Sequence, residues 1–229
     1  MPSWNIHTAH VERLLREGEP LLYGVRDANA FLFGNLVPDV YVGYMVKGTT
    51  RAIDYAVTHL TDPEYMPLPG ADEFWDAYIA GRGADEVSDV TLGAWAHLAA
   101  DNRYNAASRR KVASLGLTQG DNLRVRKQAD FDAFGRSLDI AMVPGATGEL
   151  VGECAAFPQY PIAEPDVLLA CEAAAGVVLH NAEAHVGSPE YQLLDDAFFS
   201  VTFDEVNDVI SSRLRKRARA LGMTDGDCG

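Results

Sequence analysis

The chain has 229 residues, 48% of them hydrophobic, and a formal net charge of -14 at pH 7. That length supports one large core without requiring a second, so residues 1–229 are read as a single domain. A field of this sign repels nucleic acid and anionic membrane surfaces, which excludes stable polyanion binding driven by long-range attraction; a phosphate-bearing ligand must be held by local chemistry. The three cysteines, Cys154, Cys171 and Cys228, are odd in number and far apart, a poor basis for a disulfide framework or a cysteine zinc site. Residues 1–7 lack the pattern of a secretory signal, and no apolar run approaches the roughly 18–20 residues of a membrane span. A cytoplasmic protein with reduced thiols is the expectation.

In chain order, Ser3 is a candidate cap for a first helix on which His7, His10, Val11, Leu14, Leu15 and Gly18 follow the i, i+3, i+4, i+7 stripe. Both histidines therefore face inward, and Glu12, Arg13, Arg16 and Glu17 form the solvated face. Pro38 restricts Val37 to extended geometry, and Asp39 then opens a short helix through Tyr41, Tyr44 and Met45. His59 closes a short apolar stretch before a loop rich in Pro and Asp. Phe74, Trp75, Tyr78 and Ile79 form a short helix stopped at Gly81.

A long helix begins near 88 and continues beyond 110. His97 and Asp101, four apart, share one of its faces, and Gly93 lies one turn back on that face, leaving room for a metal and a second chain segment. An imidazole nitrogen and a carboxylate oxygen suit a zinc-like ion. The segment 120–127 reads as a loop carrying Arg124, Arg126 and Lys127, side chains that can hold a phosphate or pair with surface carboxylates. The Gly and Pro density of 141–165 predicts an irregular connection. Helix then resumes over 166–186, apolar nearly all round up to Leu179 and therefore expected in the middle of a bundle, with Glu172, Gly176 and His180 on one broad face. Thr202 to Glu205 reads as a capping box and Gly222 as a C-cap of a last helix. The repeated 3.6-residue periodicity predicts an all-α fold of about seven to ten helices.

Set in order, His7, Asp39, His59 and the His97/Asp101 pair resemble the ligands of the bacterial zinc-dependent phospholipase C family, with wider kinship to the phospholipase D acting on glycosylphosphatidylinositol and the zinc-dependent single-strand nucleases. The segment HTAHVERLL from His7 is similar to that family's first ligand helix, HLTDPEYMP from His59 to its third ligand segment, and GAWAHLAAD from Gly93 to its central helix. The resemblance covers about the first 105 residues. It implies an all-helical domain with a zinc site that hydrolyses phosphoesters, Asp39, His59, His97 and Asp101 holding one ion and Asp101 bridging to a second held by His7, which His10 could join.

The sequence departs from the family in three places. Trp4 follows three residues and offers no free amino group, no histidine lies between His97 and His180, and Ala184 stands four after His180 where a Glu would be needed. One or two zinc ions are therefore expected rather than three, with Glu172, His180, Glu183 and His185 as further candidate ligands. Such an ion lowers the pKa of its water toward about 7 and polarises a phosphoryl oxygen, with Asp39 as the general base. The expected function is a phospholipase C-like phosphodiesterase acting on a small or phospholipid-derived phosphoester. A zinc-dependent nuclease and a non-catalytic metal-binding helical protein are the alternatives. Oligomeric state is not legible.

Overall fold

In a computed structural model the described residues are 2–118 and 120–223, the side chain of Asp121 excepted, and they form helices with no strand among them. The fold is built around the helix α6 (Asp89–Ser114), 26 residues and about 39 Å long. Its first turn is fixed twice. Ser88 Oγ accepts from Thr91 N at 3.1 Å, and Asp89 Oδ2 accepts the backbone N–H groups of Arg26 and Asp27 at 3.0 and 2.7 Å. Asp27 then caps α2 (Ala28–Gly34), its side chain accepting from Asn29 N and Ala30 N. One chain of hydrogen bonds thus locks the starts of α2 and α6 together, and these two helices form the most extensive helix pair in the molecule.

They cross backbone to backbone. A Cβ on Gly34 would lie 2.3 Å from Val90 O, and one on Gly93 would lie 2.2 Å from Phe31 O and 2.7 Å from Asn35 N. Glycine at both positions is what permits the approach. The room beside Gly93 is therefore filled by α2, the expected second segment, and not by space for an ion.

Around this pair lie α1 (Trp4–Glu17), α3 (Val37–Val40), α4 (Tyr55–Thr58), α5 (Ala71–Tyr78), α7 (Asp121–Arg136), α8 (Gly148–Ala155), α9 (Glu164–Glu183) and α10 (Asp196–Ala220), with 3-10 turns at Pro20–Tyr23 and Ala84–Glu86. A continuous core runs from Trp4 and Ile6 through Phe31, Phe33, Trp95 and Tyr104 to Phe131, Phe199 and Leu214. Arg213 of α10 lays its guanidinium over the Trp75 and Trp95 rings, 4.5 and 5.7 Å from their centroids, so this C-terminal cation packs as well as solvates. Asp130 of α7 accepts the backbone N–H groups of Gln192, Leu193 and Leu194 at 2.6–2.8 Å, pinning the approach to α10.

Several expectations are corrected. Val37 is helical: Pro38 occupies the second position of α3, where a missing N–H costs nothing, and Tyr44 lies outside in the following turn, exposed. Residues 121–127 are the first turns of α7, because Gly120, extended at φ -174°, starts the helix directly. The connection 141–165 contains α8, started by Thr147 Oγ1 accepting from Leu150 N at 3.1 Å. Thr202 lies inside α10, whose cap is Asp195, its side chain accepting from Phe198 N at 2.8 Å; Gly222, at φ +69°, stands just past the helix end. Most consequentially, α9 is not central. It buries only a stripe through Asp166, Val167, Ala170, Ala174 and Asn181, and exposes Leu168 and Leu179, because one helix face suffices to close the core and apolar composition does not choose which. Cys154 is buried and Cys171 half-buried, both free; Cys228 lies outside the described residues.

Candidate metal centre

Five side chains from four segments meet beside the α2–α6 crossing. His7 comes from the buried N-terminal half of α1, Asp39 from α3, His59 from the C-cap of α4, and His97 and Asp101 from successive turns of α6. His7, His59 and His97 are fully buried, Asp101 nearly so, and Asp39 alone keeps an edge toward solvent. The separations are short: His59 Nε2 to His97 Nε2 3.2 Å, His7 Nε2 to Asp101 Oδ1 3.4 Å, His59 Nε2 to Asp101 Oδ2 3.6 Å and to Asp39 Oδ1 3.7 Å, His97 Nε2 to Asp101 Oδ2 3.7 Å and to Asp39 Oδ2 4.0 Å. Two groups of three, His7/His97/Asp101 and Asp39/His59/His97, each converge closely enough to hold one ion. A tetrahedral ion with bonds near 2.0–2.1 Å sets its ligand atoms roughly 3.3 Å apart, so these spacings need little adjustment.

The surrounding hydrogen bonds orient two of the imidazoles and set the tautomer of His97. His97 Nδ1 donates to Asn35 O at 2.8 Å, and Asn35 ends α2, so the crossing itself orients that ring. His59 Nδ1 meets Thr58 Oγ1 at 2.8 Å, and it is the donor when that hydroxyl gives its proton to Tyr55 O at 3.3 Å. In that tautomer both Nε2 atoms face each other as lone pairs at 3.2 Å, an arrangement that a cation between them resolves. Both ring nitrogens of His7 and Asp101 Oδ1 are buried without a well-formed hydrogen bond, His7 Nε2 and Asp101 Oδ1 only facing each other at 3.4 Å. Orphaned buried polar atoms of this kind carry a desolvation cost of about 1–3 kcal/mol each, and their chemistry, imidazole nitrogen and carboxylate oxygen, is that of a zinc ligand set.

Burial pushes the pKa values of His7, His59 and His97 below the ordinary histidine range, so all three are neutral and ready to bind. Burial would raise Asp101, but the three imidazoles around it outweigh this and hold it low and ionised. Asp39 is pushed up to about 7, first by burial and then by the charge of Asp101.

Sequence reasoning missed the groups that hold this set in place. Trp4 Nε1 donates to Asp39 Oδ2 at 3.1 Å, Tyr55 stacks on His59 with centroids 3.8 Å apart, and its hydroxyl lies 3.5 Å from Asp101 Oδ2. Trp4 and Tyr55 stand near His7 and His59 in the sequence, but an aromatic residue there reads equally well as core.

Other candidates fall outside the centre. His10 is a core imidazole: Nε2 meets Tyr104 Oη at 3.2 Å, Nδ1 accepts from Asn207 Nδ2 at 2.9 Å, its ring stacks on Phe203, and burial lowers its pKa to about 3. Glu172, His180, Glu183 and His185 are exposed, the first three on the outer face of α9 and the last just beyond it. Arg124 is exposed on α7 and Arg126 half-buried, donating to Gln192 O, whereas Lys127 is buried. A cavity of about 420 Å³ between α1, α7 and α10, lined by Phe134, Phe199 and Phe203, contains none of the five groups. No helix among the described residues is long and apolar enough to cross a membrane. Compared with family models, with curated proteins and with solved structures, the chain matches none.

Proposed function

We propose that the chain is a metal-dependent phosphoester hydrolase, using zinc on Asp39, His59, His97 and Asp101, with His7 and the second carboxylate oxygen of Asp101 able to serve a second ion. The observation that carries the reading is the approach of the His59 and His97 Nε2 atoms to 3.2 Å, flanked by two buried carboxylates and by a third imidazole 3.4 Å from one of them. The resemblance of His7, Asp39, His59 and His97/Asp101 to the phospholipase C ligand order supports the same reading. Zinc bound there supplies Lewis-acid polarisation of a phosphoryl oxygen and a water of lowered pKa.

The protein's own groups would do the rest. Asp39, the only one of the five groups with a solvent edge, is placed to accept the proton of an attacking water, and Trp4 Nε1 keeps its carboxylate aimed inward. Tyr55, whose pKa burial and then the Asp101 charge raise far above its ordinary value, stays protonated and acts as a hydrogen-bond donor. The substrate reading is a small or phospholipid-derived phosphodiester; the charge of -14 disfavours a nuclease.

One observation favours a second reading. Four protein ligands with three of them out of reach of solvent make a closed set, which is the pattern of structural zinc sites, so a stabilising metal without catalysis is the alternative. Turnover of a chromogenic phosphodiester by zinc-loaded protein, compared with Asp101→Asn and His97→Ala, separates the two. Activity absent at every pH despite bound zinc, or equal in all three proteins, leaves the structural reading.

A further inference from the structure

Lys127 occupies an unusual position for a lysine. It is 4% exposed, although it belongs to the first turns of α7, where its neighbours Arg124 and Arg126 reach solvent. Lysine is almost never buried so deeply unless something pairs with it. Its Nζ donates to Asn105 Oδ1 at 3.4 Å and lies 5.5 Å from the centroid of the Phe131 ring. Asn105 is held in register for this, because its Nδ2 donates to Pro67 O at 2.8 Å and leaves the carbonyl oxygen turned to the ammonium. Asn105 follows Asp101 by four residues on α6, about 6 Å along the axis and on the same face, so the amide that holds the ammonium lies one turn from the Asp101 carboxylate. Burial disfavours the charged form of Lys127, and the charge of Asp101 opposes that.

The charge balance changes once an ion is held. Asp101 then spends its charge on the metal, and a neutral amide does not replace it. One divalent ion balances the two carboxylates Asp39 and Asp101, so the Lys127 ammonium becomes the uncompensated positive charge of a buried site. Its complement is a singly charged oxyanion that presents oxygens to the ion and to the ammonium together, which is the chemistry of a phosphodiester.

Resting on the hydrolase reading above, we propose that Lys127 is the anion-binding arm of the centre, its ammonium taking a phosphoryl oxygen while Arg124 and Arg126 take none. Inorganic phosphate is the probe. Zinc-loaded full-length protein, its zinc content fixed by elemental analysis, is titrated with phosphate by calorimetry alongside Lys127→Met, Lys127→Arg and Arg124→Ala. A charge-assisted hydrogen bond in a dry site makes phosphate binding at least about tenfold weaker in Lys127→Met at unchanged zinc content, with Lys127→Arg recovering most of it and Arg124→Ala matching wild type. Phosphate affinity within about twofold of wild type in zinc-loaded Lys127→Met overturns the proposal, as does a zinc-loaded wild type with no phosphate affinity. A wild type that binds no zinc overturns the hydrolase reading itself, and the role of Lys127 with it. If Lys127→Met does not fold, Asn105→Asp decides: its carboxylate pairs with the ammonium and must weaken phosphate binding, and undiminished binding rules the arm out.

Discussion

Replacing Gly93 by Ala tests the frame and the centre at once. The added Cβ would stand 2.2 Å from Phe31 O, 2.7 Å from Asn35 N and 2.8 Å from Gly34 C, all backbone atoms of α2 or its C-cap. Ordinary contact for such pairs lies near 3.4 Å, so the two helices must separate by roughly 1 Å, and no side-chain rotation relieves the clash. Overpacking of this kind costs about 1–3 kcal/mol, and a clash with rigid backbone on several sides belongs at the upper end. For a chain of this length that corresponds to a fall in Tm of about 6–12 °C. The same shift moves Asn35 O, which orients His97 at 2.8 Å, so zinc affinity must fall with stability. Thermal melts with and without zinc, plus zinc content, provide the assay, and Gly176→Ala is the control: that glycine sits on the outer face of α9 with open space around it, and alanine there should stabilise by about 0.5–1 kcal/mol. A Gly93→Ala protein that melts with wild type and keeps its zinc would refute the account of the crossing.

His97→Ala removes an atom shared by both three-residue groups, so zinc content should drop to background and the metal-free fold should lose about 2–5 kcal/mol, read by elemental analysis and denaturant unfolding. Trp4→Phe keeps the ring packing but deletes the donor to Asp39 Oδ2, and zinc affinity measured by competition with a chelator should weaken about 10- to 100-fold while the melting temperature of the metal-free protein changes little. The pH dependence has two opposed signs. His7, His59 and His97 sit below their unfolded value of 6.5 in the native state, so the stability they contribute is fully present above that pH and lost as pH falls from there through their lower folded values; Asp39, at about 7 folded against 3.8 unfolded, contributes stability below about pH 4 that is lost as pH rises to 7. In the folded protein the histidines are already neutral, so zinc must displace the proton of Asp39: at pH 6 binding should release about one proton per ion, seen as a dependence of the calorimetric heat on buffer ionisation, and Asp39→Asn should abolish that release.

The elements that sequence periodicity located best are those whose ends carry a cap or whose face is strongly two-sided. α1 and α6 begin where Ser3 and Ser88 stand, and α5 ends shortly before Gly81, which takes a positive φ of 72°. α10 begins earlier than its internal Thr202 suggested, because Thr-x-x-Glu is a signal that also occurs inside a helix, and the true cap, Asp195, is one acidic residue among many. α9 misled for a different reason: an all-round apolar helix signals burial only if the core needs more than one face, which depends on how far the rest of the chain has already closed it.

The centre was legible as residue types in order, but its geometry depends on contacts that no spacing encodes. His97 and Asp101 are placed by helical periodicity alone. His59 needs α4 to end at residue 58 and Thr58 to meet its Nδ1; Asp39 needs Pro38 inside a helix rather than before one; His7 needs the first half of α1 to be buried on every side. What joins them is the pair of glycines, since Gly34 and Gly93 let α2 lie on α6 closely enough for Asn35 to reach His97. The arrangement stores a conflict as well as a site: three neutral imidazoles and two carboxylates share a volume in which several polar atoms lack partners, and the metal-free fold must bear that cost. A chain that only needed a helical core would relieve it with apolar side chains of similar volume, as buried charge clusters elsewhere tolerate. Retaining the conflict makes sense if binding an ion repays it, so the metal-free protein should be markedly less stable than the zinc-loaded one, by the free energy of binding that these orphaned atoms leave available.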